Sequence, residues 1–125
     1  MWLDSENVIA GLQACYIVEG QAVLGYLHGR SLSGLAEASG HCQGDDYFQG
    51  VTAMFGVNYL EHLRLVTRQG LTHEFGVIRP KQKQVEFSIR PEERPFCLLG
   101  AYEISEKTQH AYFTQLGFEI TRIRV

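Results

Sequence analysis

Long apolar runs are missing from this chain, and so is a dominant charge. No stretch approaches the roughly 18–20 consecutive apolar residues that carry a helix across a bilayer, so no membrane insertion is expected. Eleven Lys and Arg stand against 14 Asp and Glu, a formal net charge of −3, and no basic stripe emerges. A nucleic-acid partner is therefore not expected, because phosphate neutralisation needs a basic face. Proline is scarce, with three residues, whereas 13 glycines supply the turns. The first residues, Met1 to Glu6, carry acids where a secretory signal carries bases, which points to a cytoplasmic location. Cysteine is sparse, odd in number and widely spaced: Cys15, Cys42 and Cys97 read as buried free thiols of a reducing compartment.

The chemistry-bearing motifs are equally thin. Glycines 29, 34, 40 and 44 fit neither the P-loop nor the dinucleotide fingerprint, so no cofactor is expected. His41-Cys42 with Asp45-Asp46 is the densest set of metal-ligand types, but a zinc site needs further ligands that no spacing supplies. Neighbouring side chains on an extended chain diverge, so His41 is poorly placed as a base for Cys42. For the same reason His73 and Glu74 do not form a ready acid–base pair. No catalytic residue and no metal site are assigned.

What is present suits one folded domain over 1–125: 45% hydrophobic and 20% charged residues, with an irregular glycine- and serine-rich loop at about 29–44. Asp4 or Ser5 is placed to cap a short helix through Ala10. Ala14–Glu19 and Gln21–His28 read as a hairpin around Gly20. A short helical turn is expected around Leu35–Ala38. Asp45-Asp46 opens a long helix expected to run to about Arg68, with Phe48, Val51, Phe55, Tyr59, His62 and Val66 at three-to-four spacing. Leu71–Arg79, Gln84–Arg90 and Phe96–Glu103 then read as three strands of an antiparallel meander. Ser105 is placed to cap a last helix over Glu106–Leu116, while 118–125 fits either a strand or a further helical turn. The expected fold is α+β: a five-stranded antiparallel sheet with the long helix and terminal helices packed on it.

That order of elements, with the apolar hairpin Ala14–Leu24 and the segment Arg64–Glu103, resembles the roadblock/dynein light chain superfamily, related in outline to profilin. The resemblance implies a non-enzymatic regulatory or scaffold module that forms a homodimer and binds another protein, such as a small GTPase. It implies a partner surface on Phe48, Val51, Phe55, Tyr59 and His62, to which Arg64 and Arg68 add two cations for an acidic surface. The bland alternative is that the apolar members complete a monomer core. Two enzyme readings stand beside it. Ala111–Glu119 is similar to a segment near the end of GNAT acyltransferases, although Arg64–Gly70 does not reproduce their pyrophosphate loop. Cys42 is the candidate for a thiol-dependent reaction. A ligand-sensing or immunity role is the remaining alternative.

Overall fold

Segment 46–68 contains Val51, Thr52, Val57, Val66 and Thr67, whose branched β-carbons are restrained in a helix and suit a pleated strand. In the computed structural model this segment is a pair of strands, and the described residues contain no helix. The structure describes residues 1–18, 21–30, 32–42 and 46–122, and their side chains apart from 16–18, 94–98 and 120–122. In chain order the strands are β1 (Trp2–Leu3), β2 (Ile9–Leu12), β3 (Cys15–Val18), β4 (Gln21–Leu24), β5 (His28–Gly29) and β6 (Ala36–Glu37). They continue with β7 (Phe48–Phe55), β8 (Leu60–Thr67), β9 (Thr72–Gly76), β10 (Lys83–Ser88), β11 (Glu93–Ile104) and β12 (Ala111–Arg122).

The fold is therefore all-β, and the α+β expectation is overturned at each helix. The stripe assigned to a long helix is two strands whose separate periods of two overlap to imitate a broad helical face. Val51 and Ala53, two apart on β7, are both buried. Gly56 breaks the run, and its N–H donates to the Tyr59 carbonyl to reverse the chain. Asp4 caps no helix; its carboxylate accepts the Glu6 and Val8 N–H groups, both at 2.9 Å, inside the β1–β2 turn. Asp46 likewise closes a turn, and Asp45 lies outside the described residues. The last expected helix is β12 instead, joined to β11 by a loop in which Ser105 exchanges backbone hydrogen bonds with Gln109 and His110. The choice at 118–125 resolves to strand through Arg122, with 123–125 outside the described residues. Leu35–Ala38 holds β6, an edge strand whose Glu37 and Ala36 pair with Trp2 and Leu3.

The hairpin expected at 14–28 is present as β3–β4, with Cys15 opposite Leu24; its turn at Glu19-Gly20 lies outside the described residues. The three late strands exist, but not as a meander. β9 pairs with β8 and β10 pairs with β7, which gives the order β10-β7-β8-β9. That is the Greek-key order 4-1-2-3, in which the connection from β9 to β10 crosses the whole sheet. A second four-stranded sheet has the order β5-β2-β1-β6, and β11–β12 form a third sheet of two long strands.

These three sheets pack around one core. Leu3, Ile9 and Leu12 come from the first, Val51, Ala53, Leu60 and Leu63 from the second, and Phe113 from the third. A single sheet of two to four strands with one apolar face is marginal alone, so each needs the other two. A smaller cluster of Val8, Ala10 and Tyr112, flanked by Leu35, Tyr59 and Val77, continues the core toward one end.

At that end Gly76 has φ +97°, and a Cβ there would run into the backbone carbonyl of Glu61. Gly76→Ala is expected to cost about 2 kcal/mol or more, from left-handed strain plus the clash. Gly117→Ala, at a position with open space around it, should stay within about 0.5 kcal/mol of the parent in the same denaturant titration.

Candidate functional site at one end of the sheets

Four loops meet at this end: 4–8 between β1 and β2, 56–59 between β7 and β8, 77–82 between β9 and β10, and 105–110 between β11 and β12. Side chains tie them together across all three sheets. The Tyr112 hydroxyl donates to Asp4 Oδ2 at 2.8 Å and lies 3.1 Å from Thr108 Oγ1, joining loops 4–8 and 105–110 through the first residues of β12. The Tyr59 and Tyr112 rings stack with centroids 5.1 Å apart and planes 26° from parallel. Asn7 Nδ2 donates to the Gly76 carbonyl at 3.1 Å, fastening loop 4–8 to the end of β9.

Glu61 holds the remaining two loops. Its carboxylate accepts from Arg79 Nη1 at 2.6 Å and from Gln82 Nε2 at 2.9 Å. It also packs against Gly56, where a Cβ would push the carboxylate aside. Arg79 reaches onward to Glu6 at 3.8 Å. Both outer partners are substantially exposed, so solvent screens this second contact. Burial pushes the Tyr112 hydroxyl above its ordinary tyrosine value; the Thr108 contact pulls it back, while Asp4 and Glu6 push it up again. The phenol therefore stays protonated and able to donate to Asp4.

The backbone at this end is unusual. Asn7, Lys81 and Gln109, at φ 67°, 66° and 63°, are the non-glycine residues in the left-handed region among those described. One lies on each of three different loops here. Such conformations are costly for L-residues and gather where surrounding structure fixes a binding or catalytic geometry. Around them Ser5, Glu6, Asn58, Glu106 and Thr108 are exposed polar groups; Val57 and Ile78, on loops 56–59 and 77–82, expose 100% and 65% of their surface, and Tyr59 is half-buried. The result is a shallow surface with hydroxyl, amide and carboxylate groups around an aromatic and aliphatic centre.

The structure disperses the residues expected to bind a partner. Tyr59 belongs to the end just described. Val51 is in the core and Phe55 packs against it. Phe48 sits edge-on to His73 near the opposite end, with centroids 6.3 Å apart. His62 is 3% exposed, with Nε2 3.8 Å from Glu74 and Nδ1 unpaired; burial holds its imidazole below the ordinary histidine value, against the pull of Glu74 and with that of Arg64. Arg64 is exposed in mid-strand opposite Thr52 and Glu74, and Arg68 opens the β8–β9 turn with its N–H on the Tyr47 carbonyl. Asp46 Oδ1 accepts from Tyr47 and Gln69 there. Hydrogen bonds from the Thr67 side chain and neighbouring backbone overcome the opposing effect of burial and hold the Asp46 carboxyl below the ordinary value.

The thiol and metal candidates gain nothing from the geometry. Burial, with Asp46 adding to it, pushes Cys42 up to about 11, so its thiol stays protonated, the reverse of an activated nucleophile. Cys15, expected inside, is exposed. His41 Nε2 faces Ser39 Oγ at 3.4 Å and the His41 carbonyl lies 3.2 Å from His73 Nε2. Among the described residues no three His, Cys, Asp or Glu side chains gather as metal ligands.

Sequence reasoning missed Asp4, Asn7, Glu61, Arg79 and Tyr112 at the end described above. The signal available was the turn-rich Asp4-Ser5-Glu6-Asn7, which serves a tight turn as well as a helix start.

No family model matches this chain, and no curated protein matches it. Among solved structures it is similar to the crystal structure of a prostate-specific WGA16 glycoprotein lectin, form II, with a TM-score of 0.65 at 14% identity. The similarity covers 98% of this chain and 79% of that one, and at this identity it is a likeness of fold.

Tyr112→Phe removes the donor to Asp4 and leaves a partly buried carboxylate oxygen short of a partner. The expected cost is about 1–2 kcal/mol in chemical denaturation, with faster hydrogen exchange at the Glu6 and Val8 amides.

Proposed function

We propose that the chain is a non-catalytic binding module that takes a saccharide at the end built by Asp4, Tyr59, Thr108 and Tyr112. The observation that carries this reading is the concentration of left-handed Asn7, Lys81 and Gln109 on three loops of that one end, each loop anchored to a different edge or sheet of a rigid scaffold. A saccharide presents hydroxyls that both donate and accept, together with C–H faces that are apolar. Exposed Asn, Thr and Glu side chains answer the hydroxyls. The Tyr59 ring, with exposed Val57 on its own loop and exposed Ile78 on loop 77–82, answers the C–H face. The similarity in fold to a structure named as a lectin supports the same reading. It also agrees with the sequence expectation of a module that binds rather than reacts, while replacing the helix-based protein partner with a ligand chemistry suited to a shallow polar surface.

Tyr59→Leu tests it, because leucine keeps apolar volume against Val8 and Tyr112 but removes the aromatic face and the hydroxyl. On a panel of immobilised neutral and acidic glycans, the parent should retain at least one structural class. The variant should lose at least about tenfold of that affinity, about 1.4 kcal/mol, without a comparable loss of thermal stability. Binding to no glycan, or binding untouched by the substitution, contradicts the proposal.

A further inference from the structure

Two of the three core-forming sheets have four strands, whereas the third has only β11 and β12. The β3–β4 hairpin is a two-stranded unit that pairs with nothing else among the described residues. Its strand β4 is exposed along its whole length. Leu24 is 69% exposed, and Tyr26, in the segment that leads back to the body, is 89% exposed. The third sheet shows a matching defect. Leu99 and Tyr102 of β11 are 45% and 49% exposed and line a groove of about 190 Å³ with Gly100, Ala101, Phe113 and Leu116.

The other wall of that groove is Leu12 and His28, the two residues from which the hairpin departs and to which it returns. Its root is narrow: the Gly25 N–H donates to the Ala14 carbonyl at 2.8 Å, and Gln13 Nε2 donates to the Gly25 carbonyl at 3.1 Å. Between Asn7 and His28 the sole formal charge is Glu19, in a chain with 25 Asp, Glu, Lys and Arg residues. A hairpin whose two strands carry no charge thus stands at the mouth of an apolar groove, joined to it by short links, one of which contains a glycine.

We propose that the β3–β4 hairpin is a strap that turns about Gln13–Ala14 and Gly25–Leu27 and lays its apolar side chains over the Leu99–Tyr102 groove of its own chain. Closure removes Val23, Leu24 and Leu99 from water together, and the third face of the core gains the cover that four strands give the other two. The same movement leaves the loops at the end of the sheets untouched, so it is independent of saccharide binding.

The test is a disulfide trap in a chain with Cys15, Cys42 and Cys97 replaced by serine. Leu24→Cys is combined with Leu99→Cys, and separately with Val57→Cys at the far, fully exposed loop. A disulfide requires Cα atoms within about 7 Å, so bond formation reports close approach. Mild oxidation should join residues 24 and 99 within one chain, at a yield independent of protein concentration and well above that of the 24–57 pair. Equal yields for the two pairs, or bonds formed only between chains, would overturn the proposal. Hydrogen exchange on the cysteine-containing parent provides a second measurement. Leu24→Asp should speed exchange at Gly100–Tyr102 by at least about tenfold, and unchanged exchange there would equally overturn it.

Discussion

Everything in this molecule depends on three small sheets burying their apolar faces against one another. Ile9, Leu60 and Phe113 belong to different sheets yet occupy one cluster, so no sheet reaches stability separately. This constraint explains why very short strands persist. Trp2–Leu3 and Ala36–Glu37 are too brief to hold a ladder alone, but Leu3 inserts into the shared core and brings its neighbours with it. It also explains why one end of the molecule is so closely fixed. The core continues through Val8, Ala10 and Tyr112 until the loops themselves become its cover.

At that end rigidity is built from few contacts with several partners each. Asp4 satisfies two backbone amides and a phenol; Glu61 satisfies an arginine and an amide while filling the space left by Gly56. Among the exposed polar side chains around these anchors, Thr108 and Glu6 also contact Tyr112 and Arg79. For the saccharide reading proposed above, loops held in place before a ligand arrives lower the cost of ordering them on binding. Among the nucleophile candidates, Cys42 has its thiol pushed the wrong way.

How much of this was legible in the sequence differs by segment. The hairpin at 15–24 and the positions of the late strands could be read, because alternation and glycine turns are local properties. The pairing of those strands could not. Nothing in Leu71–Arg90 says that β9 and β10 lie at opposite edges, since their neighbours, β8 and β7, come from a segment whose merged periodicities imitated a helix. The decisive local clue was the content of β-branched residues and glycine at 50–57, outweighed by a three-to-four spacing that two adjacent strands also produce. The candidate site was nearly invisible for a different reason. Asp4 and Tyr112 are 108 residues apart in sequence, and only the closure of the sheets brings them to 2.8 Å.

The central claim is that four loops from three sheets act as one saccharide surface. Backbone amide chemical shifts, followed while a glycan retained on the panel is titrated into the protein, test it most directly. The account predicts perturbations confined to residues 4–8, 56–59, 77–82 and 105–110, saturating together with one dissociation constant. Perturbations spread along the outer faces of β7–β10 or β11–β12, with those loops silent, would contradict it.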